Sequence, residues 1–387
     1  MKIDKKIVSK IEGEATLKLY GDKKIEFAEI EFWQYRGIEE YLKNRHFLDA
    51  LVINPRVCGI CGHSHLLATA MVIEKAIDAK ISKKAEILRE ITTLLEIAQN
   101  HIKWFYITLF PSVIKDKSFV FKAVKFASDI SKAIALIAGQ YPHNSYMLPG
   151  GVTSDLTNLE IFKLSEIIKS IYNDYLQEVM NEELYSKDLD IFFEFVPKDI
   201  GKSLNKFLVL GKQAFFTNNG KLQGVIEEKN SSLSKNALYN NEFYEVGPLA
   251  RAIVLNNEKI KRIYDEYKDS IYTRVVARMY EVVLILKYIM EKIEKIDICE
   301  PSYIKPKIKD GFAKIAIEAP RGSLIHEIEI KNEKIQKYNI IVPTQFNLAS
   351  STKEKPSPAQ ASLMGEDKKY SEILFKCFDI CAVCMSH

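Results

Sequence analysis

The 387-residue chain is short of cysteine, with six, and short of charge of one sign, since 55 basic against 51 acidic residues leave a formal net charge of only +4. So few cysteines exclude a scaffold built on disulfides. So small an excess, with no run of about five or six like charges, gives no electrostatic argument for nucleic acid or a membrane surface as partner. No apolar stretch reaches the roughly 18 residues of a spanning helix, because even Tyr280 to Met290 is interrupted by Lys287. The opening residues, MKIDKKIVSKIEGEA, have charges but no apolar core and no paired arginines, so nothing in them directs export. What remains is an ordinary globular composition, 47% apolar and 27% charged, long enough to bury a substantial core.

The placement of the cysteines says more than their number. Four of the six form two C-x-x-C pairs, Cys58/Cys61 and Cys381/Cys384, while Cys299 and Cys377 are isolated. One such pair alone reads as a redox motif or half a zinc ribbon. A ribbon, however, brings its two pairs within roughly 15 to 20 residues of each other, and here about 320 residues intervene. If the four thiolates meet, a whole domain is folded around them, which points to a buried metal centre.

The periodicity changes along the chain. Residues 1–35 alternate as strands do, with Gly21-Asp22 as a hairpin turn between Ala15–Leu19 and Ile25–Trp33. Leu88, Ile91, Leu95, Ala98, Ile102, Phe105 and Leu109 recur at three and four residues, predicting a long helix over Ser82 to Phe110 that Pro111 ends. Helices are expected over 117–139, 156–183 and 257–296, a β-rich or looped region over 192–244, strands over 310–341 and a loop over 348–367. Several long helices with strands near both ends predict a single α+β domain spanning residues 1–387.

The first pair lies in Pro55-Arg56-Val57-Cys58-Gly59-Ile60-Cys61-Gly62-His63-Ser64-His65, and the second in Asp379-Ile380-Cys381-Ala382-Val383-Cys384-Met385-Ser386-His387. These segments resemble the two signatures of the large subunit of nickel-iron hydrogenases, R-[IV]-C-G-[IV]-C-x-x-x-H and D-P-C-x-x-C-x-x-H. The resemblance continues in ordered islands at Lys10–Gly13, Arg36–Glu39, Glu245–Arg251, Glu318–Leu324 with His326, and Val342–Thr344. It implies the fold of that subunit, a central bundle of long helices with β segments near both termini.

The resemblance also implies a chemistry. Soft thiolates suit nickel and iron, and Cys58 and Cys381 are expected as terminal nickel ligands, with Cys61 and Cys384 bridging to an iron that carries CO and cyanide. The activity is then heterolytic cleavage of H2. Glu12 stands at the Glu of the R-I-E-G-H motif and is expected to relay the proton, while Arg321 of P-R-G-x-L is expected over the open side of the metals. Thr344 resembles a hydroxyl donor to a cyanide, His65 a donor to a bridging sulfur, and Asp379 keeps the acidic residue of the C-terminal signature. A Mg (or Fe) site is implied at His387 with Glu39 and the carbonyl of Leu324. The family is trimmed by a nickel-dependent endopeptidase after that histidine, so the sequence reads as the processed form. Lacking further cysteine motifs, the chain is expected to pass electrons to an iron-sulfur small subunit, and through it to further electron-transfer subunits. Without a signal of its own it is expected in the cytoplasm, or on the periplasmic side of the membrane if the partner carries the export signal.

Several positions depart from the family pattern: Lys10 and Glu14 in R-I-E-G-H, Ile380 in D-P-C, Gln345-Phe346 after V-P-T. Ser112 stands where many members carry an Asp paired with the active-site arginine, while Asp379 is retained. Among rivals, the quinone-site subunit of respiratory complex I lacks the cysteine quartet, and membrane-bound energy-converting hydrogenases usually read P-R-G-E. A hydrogen-sensing regulatory subunit with low turnover shares the centre, and a structural zinc protein would use only the cysteines.

Overall fold

A computed structural model describes residues 2–11, 13–230 and 232–385. The chain opens with strands β1 (Ile3–Ile11), β2 (Gly13–Tyr20) and β3 (Phe27–Glu31), an antiparallel meander in which Tyr20 pairs with Phe27 across the expected turn. This sheet is pinned to the other end of the chain: the Ile25 amide donates to the Glu366 carbonyl at 2.9 Å and the Gly365 amide to the Ile25 carbonyl at 2.7 Å. The ends of the sequence therefore meet, as a centre built from both requires.

Between them lie long helices. Helix α1 (Gly62–Ile77) starts directly after Cys61. Helix α2 (Lys83–Lys103) starts where expected, because Ser82 caps it by accepting from the Ala85 amide, and it continues as wider π-type turns over Trp104–Leu109. Helices α3 (Ser118–Ala138) and α4 (Asn158–Glu178) follow, the latter with a full capping box between Thr157 and Glu160. Helix α2 packs against α1 and α3, and its apolar stripe is buried from Leu88 to Leu109.

Two expectations are corrected here. The segment 257–296 is not one helix but two, α5 (Glu258–Tyr267) and α6 (Ile271–Ile293). Lys268 adopts a left-handed φ of 56°, and Ser270 restarts the helix by accepting from the Thr273 amide. The region 192–244 fits its expectation as β-rich or looped: among its described residues it holds a hairpin, β4 (Val225–Lys229) with β5 (Lys235–Tyr239), in largely irregular backbone. A second meander, β6 (Gly311–Ala319), β7 (Gly322–Lys331) and β8 (Lys334–Ile341), matches the alternation over 310–341 and packs on α1. The expected loop 348–367 contains helix α7 (Pro358–Leu363), capped by Ser357. Among the described residues no helix is long and apolar enough to cross a membrane.

Candidate metal centre

The four cysteines of the two C-x-x-C pairs are all buried, and their sulfurs lie within 4.8 Å of one another. Cys58 and Cys61 sulfurs are in direct contact, Cys58 Sγ is 3.5 Å from Cys381 Sγ, and Cys381 Sγ is 2.6 Å from Cys384 Sγ. Each pair is presented by a tight turn. The Cys61 amide donates to Cys58 Sγ at 3.1 Å, and the Cys384 amide to the Cys381 carbonyl at 3.3 Å. Burial, with the Cys381 sulfur beside it, pushes the Cys384 thiol well above its ordinary pKa, so a cation sharing the site would be what stabilises this sulfur as a thiolate. Soft donors that need a cation fit a transition-metal centre.

Two devices hold the pairs together. Arg36, exposed and outside both motifs, donates from Nη1 to the Arg56 carbonyl at 3.0 Å and from Nη2 to the carbonyls of Val57 and, at 2.9 Å, Val383. One guanidinium thus ties the two cysteine turns through their backbones. Gly13, at φ +92°, lets β2 come close: a Cβ there would fall 3.1 Å from the Val383 amide and 2.9 Å from a Val383 methyl.

A small cavity opens over the sulfurs, lined by Cys61, His65, Arg321, Thr344, Cys381 and Cys384 among others. Arg321 reaches it because Gly247 and Gly322 let two backbones meet; a Cβ on Gly322, at φ +129°, would lie 2.7 Å from the Gly247 amide. Its guanidinium donates from Nε to the Asp379 carbonyl at 2.8 Å and from Nη2 to Asp379 Oδ1 at 3.0 Å. Asp379 also receives Arg278 Nη1 at 2.5 Å, and Arg278 stacks 4.3 Å over Trp104. The retained Asp379 supplies this arginine with a carboxylate, whereas Ser112 donates to the Thr108 carbonyl and accepts from the Lys376 ammonium.

His65 Nδ1 lies 3.2 Å from His326 Nε2, and His326 Nδ1 2.7 Å from the Tyr338 hydroxyl, a buried relay off one wall of the cavity. Thr344, in the first turn of a short helix over Pro343–Asn347, is buried in another wall. Glu39 accepts the Ile340 amide at 2.7 Å with the Lys235 ammonium 3.6 Å away. Ile340 pairs with His326 of β7, the strand that also carries Leu324, so Glu39, on a short helix over Ile38–Leu42, is bonded to the strand beside the one that carries Leu324. Glu12 and His387 lie outside the described residues.

Sequence reasoning missed a row on α2. Thr92, Glu96 and Asn100 are buried polar residues at a spacing of four, and all three face the segment around Cys61. Their signal was available: buried helices rarely spend three successive turns of one stripe on polar side chains.

The sequence matches the family described as nickel-dependent hydrogenase over residues 36–109 and 212–387, well over half of the chain. Among curated relatives, it is 24% identical to the sulfhydrogenase 2 alpha subunit of Pyrococcus furiosus, covering 91% of this chain and 90% of that one. It is 24% identical to the periplasmic NiFeSe hydrogenase large subunit of Desulfomicrobium baculatum, covering 88% and 84%. In fold it is similar to the Ni-Fe-Se hydrogenase from D. vulgaris Hildenborough, with a TM-score of 0.88 over 100% of both chains at 20% identity. Converging cysteine pairs, fold and family match agree, and the chain belongs to the nickel-dependent hydrogenases, oxidoreductases in which it is a large subunit.

Proposed function

We propose that this chain catalyses the reversible heterolytic cleavage of H2 at a nickel-iron pair and passes the electrons to an iron-sulfur small subunit. The observation that carries the reading is the meeting of four buried sulfurs from both ends of the chain beneath Arg321. Cys58 and Cys381 would hold nickel as its terminal ligands, Cys61 and Cys384 would be shared with the iron, and CO and cyanide would complete the iron. When bound, the metals supply the redox chemistry; the protein supplies ligation, placement and a route for protons.

Arg321 aims a guanidinium at the open side of the sulfurs, and Asp379 holds it there by two hydrogen bonds, so little reorganisation is needed when charge develops. Thr344 offers a hydroxyl from the wall of the cavity. His65, steadied by His326, offers an imidazole near Cys61 and Cys384. Glu12 takes the proton from the Cys381 sulfur, the carboxylate being a suitable acceptor on the way to solvent. Glu39 and the Leu324 carbonyl, with His387, bind a Mg (or Fe) ion, a site that oxygen donors suit. The large-subunit name of the relative from Desulfomicrobium baculatum supports a small-subunit partner for this chain, and a maturation endopeptidase acting after His387 belongs to the same reading.

The test is metal analysis with infrared spectroscopy of the purified complex. Nickel and iron in about equal amounts at the four-cysteine site, with bands from CO and cyanide, are expected. Zinc without nickel in an active preparation would overturn the proposal.

A further inference from the structure

We propose that Glu96 is the positioning residue for Cys61, standing in from α2 for the N-terminal cap that α1 cannot make for itself; this rests on the reading of Cys61 as a metal ligand. A helix leaves its first amides without partners in its own backbone, and the side chain of the residue preceding it usually accepts one of them. Here that residue is Cys61, whose side chain makes no cap bond and whose sulfur belongs to the cluster of four. With its sulfur turned into that cluster, Cys61 leaves the first amides of α1 without a side-chain cap of their own.

Glu96 fills the vacant role from outside. Its Oε2 accepts the His63 amide at 2.9 Å, and its Oε1 accepts the Ser64 amide at 2.8 Å and the Ser64 hydroxyl at 2.6 Å. One turn along α2, Asn100 Nδ2 donates to the Ile60 carbonyl at 2.8 Å, and one turn back Thr92 Oγ1 meets His63 Nε2 at 2.8 Å. Helix α2 therefore grips the chain immediately before and immediately after Cys61. Rotation of the Cys61 backbone, which would swing its sulfur out of the cluster, has to break these bonds first.

The choice of a carboxylate is informative. Glu96 is 1% exposed and has no ion pair among the described residues, and burial raises its pKa to about 7 against the pull of three donors and the Arg321 charge. A side chain needed only for packing would be apolar, since a buried carboxylate without a cation is costly. Two acceptor oxygens directed at three donors, at the positive end of α1, give that carboxylate a reason to be there.

The experiment uses the intact complex with the chain in parental, Glu96→Gln and Gln99→Leu forms. Gln99 is the control, buried on the same helix but bonded away from the centre to the Ala127 carbonyl and Ser131. Measured are nickel per chain, the nickel X-ray absorption spectrum, the unfolding midpoint and H2 oxidation. The Gln side chain offers one acceptor and turns an amide donor toward the remaining donors. Glu96→Gln is expected to keep nickel yet change the nickel–sulfur part of the spectrum and slow turnover about tenfold or more, whereas Gln99→Leu lowers the unfolding midpoint and leaves spectrum and turnover at parental values. A parental spectrum and rate in Glu96→Gln, or an equal disturbance in Gln99→Leu, would overturn the proposal. If Glu96→Gln does not accumulate, Glu96→Asp, which withdraws the same charge by one methylene, carries the test with the same two outcomes. A parental complex without nickel or turnover would instead refute the metal-centre reading itself.

Discussion

Replacing Arg321 by lysine separates charge from geometry at the centre. Both side chains are cations, so the buried Asp379 keeps a countercharge and the variant should fold. What lysine cannot reproduce is the planar fork that donates from Nε to the Asp379 carbonyl and from Nη2 to its Oδ1. Each such charge-assisted bond contributes about 1.5 to 3 kcal/mol, and losing the pair lets the cation drift from its place over the sulfurs. Removing one preorganised donor from an active site typically costs about 2.7 to 4 kcal/mol in the barrier, a factor of roughly a hundred to a thousand in rate. We expect Arg321→Lys to retain nickel and iron at parental levels while H2 oxidation falls by about that factor. The control is Arg278→Lys, which perturbs the same carboxylate from the side away from the cavity and should slow turnover far less. Equal loss in the two variants would mean that both arginines act only by stabilising Asp379, and an unchanged rate in Arg321→Lys would make its guanidinium structural.

Asp379→Asn leaves two buried guanidiniums facing a neutral amide, and breaking a buried pair this way costs about 3 to 5 kcal/mol; calorimetry should show a clearly lower unfolding temperature, and an unchanged one would show that the arginines find other acceptors. Cys384→Ser should abolish nickel and iron binding in metal analysis, because a neutral hydroxyl does not replace a thiolate; full occupancy would disprove the ligand assignment. Glu12→Gln should keep the metals and reduce H2 oxidation by roughly a hundredfold, and exchange between D2 and solvent protons at the parental rate would move the proton route elsewhere. Glu281 is held at about pKa 2, burial opposing its charge but Arg251 and His101 outweighing it. A depressed carboxylate adds stability that is fully present above its unfolded pKa near 4.5 and is lost as pH falls toward 2. Glu281→Gln should therefore flatten the fall in stability over that acid window, and an unaltered acid profile would refute the assignment.

Much of this centre is local text. Cys58-Gly59-Ile60-Cys61 and Cys381-Ala382-Val383-Cys384 each close a turn whose own backbone directs two sulfurs the same way, and the stripe from Leu88 to Leu109 repeats at the period of a helix. Such features depend on neighbours a few residues away, and the sequence displays them directly. The break at Lys268 was hidden because a lysine there carries none of the glycine or asparagine signal of a left-handed turn; the restart at Ser270 and the packing around it decide the conformation. The partners that position the site were hidden for a different reason. Arg36 reaches Val383 across 347 positions and Arg321 reaches Asp379 across 58, while Glu96 reaches Ser64 from another helix. No periodicity records which carboxylate an arginine will meet. That choice is made only when the helices pack and the two ends of the chain close on each other, because a buried charge must then take whatever partner the fold brings within hydrogen-bond reach.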